Sequence, residues 1–360
     1  MRNLKAAEYD FSRSVNVLVG GNGQGKTSVL EALCIAATGR SFRTEQLREV
    51  LQNGQNSLVV TAHLDEDGLP RHQRLLLDGH QRQGFIDGKR TTKLAQYAIR
   101  SPIVVFHPND LELVTGSATT RRNLLARMAL YSDATTQETR LAYSRALRHR
   151  QLLLEQSLSN KSLLAFESLV AEHGYELARI NARAAAHLCK SLSDVFLELS
   201  AGDLSLDARF DATEIPDVET YRRLLYEARR ADRQRGRATF GPHRDDLQLL
   251  LAGLSARRHA SQGQQRLLAL ALKLAELRCI QEIRQVHPVL LLDDVVSELD
   301  RNRTVNVFEW IRGTDSQIFI TAPRNDVFIA SNFSDREQRI FCVEQGDLRV
   351  WKLRAEAGGP

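Results

Sequence analysis

Two stretches far apart in the chain carry the residue types that handle phosphate and a divalent cation. The first is Gly20-Gly21-Asn22-Gly23-Gln24-Gly25-Lys26-Thr27, which spells G-x-x-x-x-G-K-T. It follows the apolar run Val15 to Val19 and leads into a helical stretch that opens with Ser28-Val29-Leu30. A strand, a glycine-rich loop and a helix in that order make a phosphate-binding P-loop. The glycines let backbone N–H groups turn inward, and the helix adds its positive N-terminus at the same place. Residues Gly20 to Ser28 would contact the nucleotide, Lys26 would reach its β- and γ-phosphates, and Thr27 would offer its hydroxyl to Mg²⁺.

The second stretch is Val289-Leu290-Leu291-Leu292-Asp293-Asp294. An apolar strand buries in a sheet and delivers its two acids at the carboxyl end, where ligands bind in α/β folds. This has the form of a Walker B strand. Asp293 would hold Mg²⁺ through water, and Asp294 would polarise the attacking water as general base. Lys26 and Asp294 are therefore the expected catalytic residues. An apolar strand ending in two acids is common, and only the P-loop upstream gives this one meaning.

Two further stretches pair with these. Ser261-Gln262-Gly263-Gln264 precedes an apolar helix shortly before the Walker B strand. Ser261 and the amides of a helix starting near Gln264 can form an anion site, although a simple helix cap uses the same residues. Ser297-Glu298-Leu299-Asp300 follows Walker B directly and has the S-x-L-D form, with capping of the next helix as the plainer reading.

The elements that must position these residues follow from periodicity. Ser57–Leu64, Arg74–Asp78, Ile103–Phe106, Asp246–Leu251, Pro288–Leu292 and Ser316–Thr321 read as strands, and Ile340–Lys352 reads as two short strands around Gly346. Asp87-Gly88 is a hairpin signal. Between Asn109 and Gln234 proline nearly vanishes and Leu, Ala and Arg recur at helical spacing, with Gly174 a place where the helix could kink or divide. The expected architecture is an α/β nucleotide-binding head in two halves, 1–108 and 238–360, interrupted by a helical lobe at 109–237.

Composition narrows the partners. The 360 residues carry a net charge of +5, and of 49 basic residues only 8 are Lys and 41 are Arg. Arg grips phosphate bidentately as Lys cannot, although GC-rich coding also enriches Arg. Arg222, Arg223, Arg229, Arg230, Arg233, Arg235 and Arg237 crowd one stretch, with Arg148 and Arg150 in another. This density suits duplex phosphates, and the plainer reading is a solvated helical face with local ion pairs. Aromatics, at 6% and not interleaved with the arginines, argue against a base-stacking platform for single strands. The four cysteines form no C-x-x-C pair and read as packing residues, with Cys34 on the buried face of the P-loop helix. Neither a signal segment nor a run of about 18 apolar residues occurs, so a cytoplasmic, membrane-free protein is expected.

P-loop, Ser261 run, Walker B and the S-x-L-D run, in this order, resemble an ABC-type ATPase, and the helical insertion resembles its SMC-like branch. The chain is most similar to the RecF recombination-mediator family. The resemblance rests on Arg2-Asn3, the P-loop, Gly39-Arg40-Ser41-Phe42-Arg43, Phe106-His107-Pro108-Asn109-Asp110-Leu111, Gly116, Arg121-Arg122, Gly241-Pro242-His243-Arg244-Asp245-Asp246, the Ser261 run and Asp293 to Asp300. It implies ATP and Mg²⁺ as cofactors and an ATP-dependent homodimer. In that dimer the Ser261 to Gln264 signature would contact the partner's nucleotide in trans, and the D-loop, Ser297 and Asp300, would cross the interface. It also implies binding to double-stranded DNA near gapped single-strand/double-strand junctions, with RecO- and RecR-type partners, and a weak DNA-stimulated ATPase.

Several positions depart from the family pattern. The sequence begins at the Arg2-Asn3 pair, before which the family usually has a short strand, so either a missing edge strand or a misplaced start is expected. Ala126 stands where an Asp is usual, and the first long helix reads Arg148-His149-Arg150-Gln151. Thr321 stands in place of a switch His, so hydrolysis is expected to be slow. The competing readings are an SMC-like head of another DNA-repair ATPase, which would need long heptad arms, and a P-loop kinase or NTPase with a helical lid. The kinase reading leaves the signature and D-loop unexplained.

Overall fold

The computed structural model describes residues 1–66, 68–156, 160–295, 299, 301–323 and 336–351. In chain order the strands are β1 (Val15–Val19), β2 (Ser57–Glu66), β3 (Leu69–Asp78), β4 (Gln81–Ile86), β5 (Lys89–Arg90), β6 (Ile103–Phe106), β7 (Leu206–Asp211), β8 (Asp246–Leu251), β9 (Leu254–Ser255), β10 (Val289–Leu292), β11 (Ile318–Ala322), β12 (Gln338–Glu344) and β13 (Asp347–Val350). They belong to two compact units, Met1–Asp110 with the described residues from Gln285 onward, and Leu111–Arg284.

The first unit holds a six-stranded sheet in the order β13-β12-β1-β11-β10-β6, parallel except for the β12–β13 hairpin. A parallel sheet is covered on both faces, so its strands are apolar throughout rather than alternating. Every residue of β1 and of β11 is buried accordingly. The same unit holds the antiparallel sheet β2-β3-β4-β5. There the burial of β2 and β3 alternates, as a half-covered sheet requires. The turn Asp87-Gly88 has φ of 49° and 77°, the left-handed pair that Asp-Gly favours in a two-residue hairpin.

The P-loop helix, Lys26–Thr38, lies between these sheets. Leu30 and Cys34 pack with Leu291, Phe319 and Phe341 of the parallel sheet, while Ile35 packs with Leu75, Leu77 and Tyr97. Cys34 is buried as expected, as is Cys279.

In the second unit, helices Thr136–Gln156, Asn160–Leu199 and Val218–Arg235 enclose a core of Tyr143, Val170, Ala171, Leu177, Tyr221 and Leu225. Gly174 does not divide the 40-residue helix; its bare Cα makes room for the Tyr221 hydroxyl, 2.5 Å from where a Cβ would stand. The unit boundary differs from the one read in the sequence at Arg237. Strand β8 pairs antiparallel with β7, from Leu206↔Leu251 to Asp211↔Asp246, and thus joins residues expected in the head to the helical segment. Strand β7 itself is absent from the sequence reading. The helix Gln262–Arg284 packs on Asn160–Leu199 and begins two residues earlier than expected. Among the described residues no helix is long and apolar enough to cross a membrane.

Candidate functional site

The P-loop leaves β1 at Gly20, whose Cβ would stand 2.5 Å from the Val343 carbonyl, so no larger residue fits there. Gly23 and Gly25 take φ of 75° and 116°, conformations open to glycine and strained for other residues. The Lys26 ammonium donates to the carbonyls of Gly20 at 2.7 Å and Gly21 at 3.0 Å. Burial lowers the Lys26 pKa, against the pull of Asp293 and Asp294. Two P-loop side chains point elsewhere. The Gln24 carboxamide oxygen accepts from the Gln345 amide at 2.7 Å, and the Ser28 hydroxyl donates to Asn3 Oδ1 at 3.0 Å. Asn22 is exposed at the loop's tip.

Asp293 sits where β10 ends, and its amide donates to the Phe106 carbonyl of β6 at 2.9 Å. Its carboxylate accepts from the Thr27 hydroxyl at 3.0 and 2.9 Å and from the Thr321 hydroxyl at 2.9 Å. Burial raises the Asp293 pKa, and the two threonine hydrogen bonds hold it back. Thr321, at the switch position, also accepts from the Asp294 amide at 2.9 Å. Asp294 is exposed and left-handed at φ 54°, which aspartate tolerates better than most residues. The chain thereby turns sharply between two adjacent acids.

Oxygen donors from one hydroxyl and one carboxylate suit Mg²⁺, which takes its remaining oxygens from phosphate and water. Among the described residues no group of three or more His, Cys, Asp or Glu could hold a metal by itself. Residues Ser297 and Asp300 of the expected D-loop lie outside the described residues.

Glu31, buried on the P-loop helix, ties two sequence motifs to that helix at once. It accepts from Arg2 at 2.5 and 2.9 Å and from the Ser41 hydroxyl at 2.5 Å, with Arg43 at 3.5 Å. The N-terminal pair and the basic turn after the helix thus brace the helix that carries Lys26. Sequence reasoning named Arg2, Ser41 and Arg43 but missed the acid that gathers them. A charged residue in a buried helix position was the available signal.

In the second unit, Ser261 and Gln264 form a reciprocal capping box. The Gln264 amide donates to Ser261 Oγ at 3.3 Å and the Ser261 amide to Gln264 Oε1 at 2.9 Å. Ser261 and Gln262 are exposed at the positive end of a 23-residue helix. The capped helix and the anion site are compatible.

The chain matches the RecF/RecN/SMC N-terminal domain family model over residues 1–348. It is 33% identical over 358 residues to a DNA replication and repair protein RecF from Heliobacterium modesticaldum, covering 96% of each chain. A second RecF, from Geotalea uraniireducens, is 30% identical over 328 residues, covering 89% of this chain and 90% of that one. The chain belongs to the RecF family. A solved structure of the recombination mediator protein RecF-ATP in the RecFOR pathway superposes with a TM-score of 0.86 at 27% identity, covering 98% and 95% of the two chains. An Smc head domain from Pyrococcus furiosus, at 18% identity, 95% and 90% coverage and a TM-score of 0.54, shares the fold. This is the ABC-type, SMC-like ATPase head expected from the sequence.

Within this RecF-family fold the arginines divide. Arg150 is fully buried: it donates to Asp232 at 2.5 Å, Glu167 at 3.3 Å and the Leu225 carbonyl at 2.8 Å. It therefore cannot meet DNA, contrary to the sequence reading, because two inward-facing carboxylates need its charge. Arg229 is paired with Glu167 as well, Arg222 is held by Glu219 at 2.6 Å and Ser168 at 3.0 Å, and Arg233 donates from Nε to the Leu154 carbonyl at 2.9 Å. Arg148, Arg223, Arg230 and Arg235 are exposed. Tyr226, 62% exposed, stands among them with the Arg229 guanidinium 4.6 Å over its ring. An aromatic does therefore interleave with these arginines, which the sequence reading had denied.

The Gly241 to Asp246 run acts as a joint. Gly241, at φ 125°, faces the Tyr143 and Tyr221 hydroxyls, and the Tyr143 hydroxyl shares a 2.7 Å hydrogen bond with His243 Nδ1. Arg121 grips Asp246 bidentately at 2.7 and 2.9 Å, and Arg122 donates to the Asp245 carbonyl at 2.8 Å. This ties the two motifs together within the second unit.

Proposed function

We propose that this chain is an ATP-gated DNA-binding protein of recombinational and replication-gap repair in the cytoplasm. The observation that carries the reading is the linkage of P-loop and Walker B through Thr27, Asp293 and Thr321 in a RecF-family chain. ATP as the nucleotide is supported by the RecF-ATP relative. Lys26 would exchange its bonds to the Gly20 and Gly21 carbonyls for the β- and γ-phosphates. Thr27 and Asp293 would hold Mg²⁺, which when bound offsets charge developing on the phosphate oxygens. Asp294, turned outward by its left-handed backbone, is the candidate base for the attacking water, and Thr321 fixes that turn by accepting its amide. A threonine cannot relay a proton as an imidazole does at neutral pH, which favours slow hydrolysis.

A single P-loop leaves the γ-phosphate open on one side, and the capped Ser261 end of a second copy has the chemistry to close it. ATP would thereby join two copies into a dimer that grips duplex DNA beside a gap through Arg148, Arg223, Arg230 and Arg235. RecO- and RecR-type proteins would then help to load recombinase, and hydrolysis would release the DNA. Light scattering with saturating Mg-ATP tests the core of this reading. The unsubstituted chain should dimerise, Lys26→Met should stay monomeric, and Asp294→Asn should remain dimeric long after ATP is added. A monomer at saturating ATP would refute the gate, and a gel shift on gapped duplex that ignores ATP would refute its link to DNA.

A further inference from the structure

We infer that the turn between β12 and β13 is a clamp on the phosphate loop, and that Gly346 tunes nucleotide affinity through it. The inference rests on the P-loop reading above and concerns the turn and the N-terminal segment that hold that loop. The pair Glu344↔Asp347 leaves a two-residue loop, Gln345-Gly346, with φ of 48° and 75°. Both of its amides point at the P-loop: Gln345 N donates to Gln24 Oε1 at 2.7 Å and Gly346 N to the Gln24 carbonyl at 2.9 Å. The Gly346 carbonyl accepts from the Lys5 amide at 3.1 Å. The N-terminal segment closes the circle, since Asn3 donates from Nδ2 to the Gly23 carbonyl at 3.3 Å and accepts from Ser28 at 3.0 Å.

Turn, N-terminal segment and P-loop thus form one hydrogen-bonded ring around the backbone whose amides would cradle phosphate. A glycine-rich loop held in its binding shape loses less conformational freedom when a ligand arrives, and affinity rises by that amount. Turn geometry alone asks for glycine at position 346, but it does not explain the packing there. A Cβ at Gly346 would fall on the Asn3 carbonyl and within 3.1 Å of the Leu4 Cα. Gly88 offers the contrast: it occupies the second position of the same kind of turn, at φ 77°, and a Cβ there would meet nothing within 4 Å. Adding a methyl group strains both turns equally, but only at Gly346 does it push the Asn3 segment off the P-loop.

The experiment compares Gly346→Ala with Gly88→Ala by isothermal titration of Mg-ATP and by hydrogen exchange of the amides of residues 20–25. Gly346→Ala should weaken Mg-ATP binding by about tenfold and speed exchange in the P-loop, with Gly88→Ala matching the unsubstituted chain in both. Gln24→Ala removes one of the two clamp bonds and should speed exchange of the P-loop amides in the nucleotide-free chain; that readout serves as the test if Gly346→Ala does not fold, and unchanged exchange would overturn the clamp. Equal affinity and equal P-loop exchange in the Gly346 and Gly88 variants would overturn the clamp. If the unsubstituted chain binds no Mg-ATP, the nucleotide reading falls, and affinity control by Gly346 falls with it. The exchange comparison still decides whether the turn holds the loop.

Discussion

Replacing Arg150 with methionine separates a buried structural role from a DNA contact. The side chain is fully buried, so solvent does not screen its pairs with Asp232 and Glu167. Methionine fills much of the same space but leaves two inward-facing carboxylates short of a cation, and breaking a buried pair in this way costs about 3–5 kcal/mol. Both acids keep some support: Asp232 still accepts from the Thr239 amide at 2.7 Å, and Glu167 keeps Arg229. The cost should thus fall toward the lower end, about 3 kcal/mol. For a unit of this size each kcal/mol shifts the melting temperature by about 2–4 °C, so Arg150→Met should melt roughly 6–12 °C lower. The assay is thermal denaturation at neutral pH beside Arg148→Met, in which the lost residue is exposed. Arg148→Met should melt like the parent chain and reduce the salt slope of DNA binding by about 0.9. If Arg150→Met melts normally yet loses DNA affinity, the buried network is misread.

Three other outcomes are expected. Burial raises the Asp245 pKa from 3.8 to about 6, so the folded chain holds a proton across that window that the unfolded chain has released. Stability therefore falls as pH rises through it, and Asp245→Asn should melt higher than the parent at pH 8 but alike at pH 4. Glu276 shows the opposite sign: although burial opposes it, Arg127 and Lys273 hold its pKa down at about 2, from 4.5. Its contribution is present above pH 4.5 and is lost on acidification toward pH 2, so Glu276→Gln should be less stable at pH 7 and flatten the acid limb of a stability–pH curve. Replacing Arg223 and Arg230 together with alanine should lower the salt slope of duplex binding by about 1.8 while leaving the melting temperature within a degree or two.

What the sequence carried best was chemistry that depends on local order. The P-loop, the Walker B strand and β6 and β8 were legible because a glycine-rich turn or an apolar run between breakers has few other readings. The arginines were not legible in the same way. A count of charges cannot say which guanidinium turns inward, and Arg148 and Arg150 differ by two residues but lie on different faces of one helix. The unit boundary was missed for a related reason. Strand β7 is a short segment, Leu206–Asp211, embedded among helical patterns, and only its pairing with β8 shows where residues 246–251 belong. The turn around Gly346 was legible between its two strands, but its hold on Gln24 was not, and neither was the pairing of Glu31 with Arg2, because these partners are distant in the chain and no local pattern encodes them.

The order of strands also bears on how the molecule is made. Strand β1 emerges from the ribosome early, yet its neighbours are β11 and β12, with Val15 opposite Ile318 on one side and Gln338 on the other. The unit Leu111–Arg284 is continuous and can fold while synthesis proceeds. The P-loop must wait, since Thr27 meets Asp293 and Thr321 only when most of the chain exists. Closing so long a loop is slow, and until then β1 presents unpaired edges. A nascent or truncated chain would thus carry the whole Lys26 motif without a site to put it in, so the capacity for nucleotide arrives late, as a mark of completed synthesis.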